Sequence, residues 1–290
     1  MAPTGPHQPR VEVLIGFLVS SLVSFAQGKT LLYSIKGEGT KTSYLFGTVH
    51  LIDDSSYYFP AKLDKTLAKA DLLVLEIDNL SDRAKAQQLL LLDSGSVFDI
   101  FSAAQADSVV NWGAKLSGMK PDVFKKNFSG MKPFVLMQLS LQASMNAHSR
   151  SYEMELISKA RSNKQSVKGL ETMESQFAIF DSLPANLVAN MVMEGIRHPE
   201  ATDESQKKLV QLYREKDVDG LAKLIEESEE LNGTTEKLLY ERNRNWIPVM
   251  TKYMQENSCF FAVGAGHLGG EKGVIQLLIN AGYSVTPISY

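Results

Sequence analysis

The sequence predicts a mixed α/β (α+β) fold: a small central β-sheet with large helical insertions covering one edge. Three observations carry this expectation. Apolar runs of strand length cluster near both ends of the chain and recur only twice between them, at 72–77 and 166–171. The long stretches 81–147 and 172–257 show helical spacing. No low-complexity linker or solenoid-length repeat divides the 290 residues, so one sheet that the chain revisits fits better than separate domains.

The chain opens with an apolar stretch, Val11 to Phe25, behind Arg10. It is short for a membrane span and ends in Ser24-Phe25-Ala26, a small-x-small cleavage pattern. Residues 1–26 therefore read as a secretory signal and 27–290 as the mature domain, starting at Gln27. Glu12 and the Pro-rich start, with one positive side chain, keep an uncleaved anchor open as the alternative. The expected location is periplasmic or secreted, with no stable membrane span after signal removal. Cys259 is the only cysteine, so no intrachain disulfide can form. A net charge of -3 without a long basic run gives no footprint for nucleic acid.

Leu31–Ile35 and Ser43–Phe46 flank Gly37-Glu38-Gly39 and predict a β-hairpin. Phe59–Ala70 has helical spacing. Leu72–Ile77 reads as a buried strand that delivers Glu76 near its end. Helical pattern then runs over 81–147, broken near Gly95, Gly118 and Pro133, and resumes over Ser151–Arg161. Ser166–Glu171 is a second short strand ending in a carboxylate. Helices dominate 172–257, punctuated at Pro184 and Gly233. The chain closes with a strand (Cys259–Val263), a Gly-rich turn, a helix (Glu271–Ala281) and a strand (Tyr283–Ile288).

Two copies of one pattern point to a site. Gly47-Thr48-Val49-His50 and Gly264-Ala265-Gly266-His267 each follow an apolar run, with a glycine where the chain turns tightly, and the chain has only five histidines. Residues just past the carboxyl ends of strands line the ligand crevice of an open α/β sheet. His50, Glu76, Glu171 and His267 thus become candidate catalytic residues of one site. Imidazole and carboxylate ligate borderline divalent metals, so His50, Glu76 and His267 are also candidate ligands for manganese, cobalt or zinc. Without metal, the same residues suit acid–base chemistry. The plainer alternatives are histidines hydrogen-bonded in loops and glutamates that cap helices or pair with Lys and Arg.

Gly264-Ala265-Gly266-His267-Leu268-Gly269 also matches a dinucleotide fingerprint, but that fingerprint opens a βαβ unit with an acidic residue about 20 positions on, and Ser284–Tyr290 holds no carboxylate side chain. The glycines are better read as letting the backbone turn and approach a ligand closely. Arg242 and Asn243, beside Glu241 and Trp246 in a helical stretch, are candidate substrate-binding residues. Arg242 would orient a substrate carboxylate or fix a glutamate by a bidentate contact. A solvated helix face is the other reading, and Gln176 carries the same ambiguity. Tyr57-Tyr58-Phe59 either lines a groove or packs in the core. Cys259, inside a strand, reads as a buried small hydrophobe.

These segments together resemble the TraB/GumN family, which includes the animal Tiki proteins and is remotely similar to erythromycin esterase and ChaN-like proteins. The resemblance rests on Tyr44–Leu51, Leu75–Asp78, Gly169–Thr172, Glu241–Asn243 and Val263–Gly270 in that order, and spans about Leu31 to Ile288. Tiki-type members imply a divalent-metal-dependent protease acting on a peptide or protein substrate. The esterase relatives imply His/Glu acid–base hydrolysis. A binding protein that keeps the pocket without turnover is a further alternative. The residues that carry over are His50, His267 and Glu76, then Glu171, Arg242 and Asn243. Many relatives have Gly-hydrophobic-Asp where this chain reads Ser151-Tyr152-Glu153, which leaves Glu153 to substitute for the Asp.

Overall fold

The computed structural model describes residues 29–77, 83–143, 149–228 and 233–290. The signal-peptide expectation for 1–26 lies outside the described residues. Strands β1 (Leu32–Lys36) and β2 (Ser43–Thr48) form the expected hairpin. Its turn closes with Thr40 N–H donating to Gly37 O, and Gly39 adopts φ 69°, where a Cβ would be strained. A two-residue strand β3 (Ile52–Asp53) and helix α1 (Ala61–Leu67) lead to β4 (Leu72–Ile77).

The first insertion holds α2 (Arg83–Leu89), α3 (Ala103–Ser117), α4 (Pro121–Phe128) and α5 (Pro133–Ala143). Local chemistry sets its breaks. Ser102 and Gln105 form a capping box at the start of α3, worth about 1 kcal/mol. Gly118 ends that helix at φ 68°, and Pro121 sits in the first turn of α4, where its missing N–H costs nothing. The chain returns through β5 (Ser149–Arg150), α6 (Tyr152–Ser162) and β6 (Ser166–Glu171).

A second insertion follows: α7 (Met173–Asp181), α8 (Ala185–Arg197), α9 (Pro199–Arg214) and α10 (Val218–Glu226). A π turn at Glu236–Tyr240 then runs into α11 (Glu241–Glu256). β7 (Cys259–Gly264), a 3-10 turn at Ala265–His267, α12 (Val274–Asn280) and β8 (Ser284–Pro287) complete the fold.

The six-stranded sheet runs β6-β4-β7-β2-β1-β8. β6, β4, β7 and β2 are mutually parallel, and β1 is antiparallel to both its neighbours. β4 and β7, central and covered on both faces, are apolar along nearly their whole length, as buried parallel strands must be. The main core joins Phe46, Phe260 and Phe261 of the sheet to Tyr152 and Leu156 of α6 and to Trp246, Met250 and Met254 of α11. A second core, around Val109, Phe124, Leu136 and Val192, lies within the helical insertions. The helices therefore form a body with its own interior. It springs from the carboxyl ends of β4 and β6, where α2 and α7 touch.

Several boundaries differ from the sequence reading. The last helix starts at Val274 instead of Glu271, because the preceding residues form turns. The β3–β5 pair and the π turn are too short for periodicity to reveal.

Candidate active site

Because β2, β4, β6 and β7 run in one direction, their carboxyl ends share an edge. Thr48 lies opposite Gly264, and Ile77 opposite Glu171. The motif glycines serve close packing, not the tight turns expected from sequence. Neither Gly47 nor Gly264 has positive φ. A Cβ on Gly47 would lie 2.7 Å from Leu268 Cδ1 and 3.1 Å from Ala265 Cα, so the two motif copies pack directly on each other. A Cβ on Gly264 would lie 3.3 Å from Glu76 Oε1, 3.6 Å from His267 Cδ2 and 4.0 Å from His50 Nε2. The two histidines and Glu76 thus bracket one small space.

Arg242 is the centre of the site. Its Nη2 donates to Glu76 Oε2 and to Glu171 Oε1, both at 2.5 Å, and its Nε donates to Glu171 Oε1 at 3.0 Å. Nη1 reaches the Leu238 carbonyl at 3.1 Å and His267 Nε2 at 3.2 Å. The Leu238 carbonyl belongs to the π turn, a distortion often found at functional sites. Gln176 Nε2 donates to Glu171 Oε1 at 3.2 Å, and Gly264 N–H to Glu76 Oε1 at 2.7 Å. Arg242 therefore fixes two glutamates and does not lie on a solvated helix face.

Asn243 lies entirely inside the protein. Its Nδ2 donates to the Lys272 carbonyl at 2.9 Å and weakly to the His267 carbonyl at 3.4 Å. Its Oδ1 is left to accept from His267 Nδ1 at 2.6 Å, which places the neutral ring's lone pair on Nε2, facing Arg242. Burial foremost, aided by the charges of Arg242 and His50, pushes His267 down to about 3, so it is neutral at ordinary pH. Burial also penalises charge on Glu76. Its neighbours His267, His50 and Arg242 and the Gly264 amide outweigh that penalty and hold Glu76 at about 2. The Trp246 ring packs 4.5 Å from His267. Asn243 is thus a positioning residue for His267, and, fully buried, it does not line the cleft as the sequence expectation of substrate contact requires.

His50 stands apart from this network, with its side chain 70% exposed. Its Nδ1 lies 3.0 Å from Glu153 Oε1. Glu153 is held in turn by Thr48 Oγ1 at 2.7 Å and Ser151 Oγ at 2.9 Å. The bond from Glu153 is the main reason His50 rises to about 9, against the opposing effect of burial. Its Nε2 faces a cleft of about 320 Å³, lined by Glu76, Glu153 and Gln176 on the polar side and by Leu75, Ile77 and Met154 on the apolar side. Glu153 occupies the place where the family pattern has Asp. Its partnership with His50 was hidden in the sequence, because it depends on β3 pairing with β5 to bring 48–53 beside 149–153.

The donor set does not fit the metal expected of His50, Glu76 and His267. Among the described residues, no three His, Cys, Asp or Glu side chains converge as ligands. Glu76 Oε2 and His267 Nε2 both face the Arg242 guanidinium, and Glu76 Oε1 accepts from Gly264. A divalent ion in that space would meet a fixed positive charge at hydrogen-bonding distance from two of its three ligands. Cys259 is buried and its thiol is pushed up to about 12 by desolvation, so it is no nucleophile. No helix among the described residues is long and apolar enough to cross a membrane.

A mixed, largely parallel α/β sheet with polar side chains gathered at the carboxyl edge of its parallel strands, under a helical body, defines the class. The chain belongs to the TraB/PrgY/gumN family, whose model matches residues 31–287. No curated protein and no solved structure shows significant similarity to it.

Proposed function

We propose that the chain is a hydrolase that uses His/Glu acid–base chemistry on a peptide bond of a peptide or protein substrate. The observation that carries this reading is the Glu153–His50 pair, which opens onto a cleft whose wall includes Glu76, a partner of Arg242. Once His50 is deprotonated, above about 9, Glu153 accepts from Nδ1–H and so holds the tautomer whose Nε2 lone pair is free. That lone pair takes a proton from water as the water attacks the carbonyl carbon, and Glu153 stabilises the imidazolium formed. The imidazolium then protonates the leaving group. Such acid–base assistance contributes about 10²–10⁴-fold. Arg242, held by Glu76 and Glu171 behind the cleft wall, offsets part of their negative charge near the developing oxyanion. Glu76, Glu171 and His267 are positioning residues for Arg242. Leu75, Ile77 and Met154 favour an apolar group beside the scissile bond.

No step needs a metal, which sets this reading against the one implied by Tiki-type relatives. The activity is placed outside the cytoplasm on the strength of the apolar segment 11–25 and its cleavage pattern. The test is a screen of peptide and ester libraries against the parent and His50→Ala. Turnover by the parent that falls by at least about 10²-fold in the variant supports the reading. A tight co-purifying ligand with no turnover in any library would favour a binding protein.

A further inference from the structure

The start of α6 separates two spaces of opposite character on one sheet edge. Glu153 lines the active cleft, which has two carboxylates and no Lys or Arg in its wall. Its neighbour Tyr152 lines a second space of about 350 Å³, which has Arg214 and Lys216 in its wall and no Asp or Glu. The second space adjoins the site through β2: Tyr213 in its wall donates to the Gly47 carbonyl at 3.0 Å, three residues before His50. Tyr152 donates to the Tyr58 carbonyl at 2.9 Å and fixes the loop that carries Tyr58.

The wall of this second space suits a particular chemistry. Tyr58 is 62% exposed and presents an aromatic face. The buried Tyr57 hydroxyl has no hydrogen-bond partner. Lys216 takes φ 57°, uncommon for a residue with a Cβ, and lays its ammonium 3.7 Å over the Tyr290 ring while donating to the Tyr290 main-chain oxygen. Arg214, exposed in the last turn of α9, makes no ion pair among the described residues, so its planar fork is open to a carboxylate.

We propose that this space is a second binding site, which takes an aromatic residue bearing a carboxylate, the chemistry of a peptide's carboxyl-terminal end. Tyrosine faces hold the ring and Arg214 holds the carboxylate. Its service as a subsite of the hydrolase rests on the function proposed above. The binding itself does not, and the experiment reads binding alone.

The probes are N-acetylphenylalanine and its carboxamide, titrated against the full chain by ligand-observed NMR. The acid is expected to bind at least about tenfold more tightly than the amide, because only it pairs with a guanidinium. Arg214→Ala should weaken the acid by about tenfold and leave the amide unchanged, with Arg214→Lys between them, since Lys keeps the charge without the fork. Tyr58→Ala should weaken both probes. Met154→Ala, on the active-cleft side, should weaken neither. The proposal is overturned if acid and amide bind alike, if the acid shows no binding at millimolar concentration, or if Arg214→Ala has no effect. A loss in Met154→Ala as large as that in Arg214→Ala would place the probe in the active cleft and would also overturn it. Arg214 is exposed, so failure to fold does not obscure these outcomes.

Discussion

Replacing Arg242 with methionine tests whether one guanidinium holds the site together. Arg242 and Glu171 side chains are each 11% exposed and that of Glu76 is 7% exposed, so neither glutamate can turn to water for compensation. Removing one partner of a buried ion pair costs about 3–5 kcal/mol, because the charge left behind is unpaired. For a chain of this size that loss lowers the melting temperature by roughly 6–20 °C. The loss should depend on pH in a definite direction. In the parent, Glu76 is held at about 2, below its ordinary 4.5. The stability this gives is complete above 4.5 and disappears as pH falls toward 2. In Arg242→Met, burial meets one fewer opposing charge and Glu76 rises, so part of the penalty is present at neutral pH and is relieved as the carboxylate protonates. Urea titrations of parent and variant at pH 7 and pH 4.5 should therefore show a large gap that narrows on acidification. Glu76→Gln combined with Arg242→Met should be more stable at pH 7 than Arg242→Met alone. A variant as stable as the parent, or a gap independent of pH, would refute the reasoning.

Glu153→Gln should shift the pH profile of kcat/KM. Glu153 raises His50, so without it the limb for His50 deprotonation moves to lower pH, from about 9 toward the ordinary 6.5; an unmoved limb would remove Glu153 from the mechanism. Gly47→Ala should cost about 1–3 kcal/mol by overpacking against Leu268 and Ala265, read as a lower urea midpoint; a neutral effect would return Gly47 to the role of turn residue. The mature protein from its native host should have an intact mass beginning at or near Gln27, and a mass that retains 11–26 would show a tethered form.

The sheet was legible because its strands obey simple rules. β4 and β6 have the boundaries that apolar runs and turn residues mark, and the two Gly-x-x-His segments follow strands as expected. The placement of His50, Glu76, Glu171 and His267 was legible for the same reason: parallel strands put them on one edge. The interactions among them were not. Whether two glutamates and a histidine hold a metal or a guanidinium depends on where α11 lands, and the π turn that precedes Arg242 leaves no sequence period. Asn243 looks polar and available in sequence, yet both ends of its amide are spent on His267 and neighbouring carbonyls. The pairing of Glu153 with His50 spans about a hundred residues and depends on a two-residue strand pair. A glycine after a strand predicts a turn, while the structure uses the missing side chain of Gly47 to let two strand ends touch.

Metal dependence tests the central claim most directly. The chain is stripped with chelator, its residual metal is quantified by mass spectrometry, and hydrolysis of the best library substrate is measured before and after manganese, cobalt or zinc is added back. Full activity in the stripped protein, unchanged by add-back and abolished by His50→Ala, is the expected result. Activity that disappears on stripping and returns only with a divalent ion would contradict it, and would return Glu76 and His267 to the role of metal ligands.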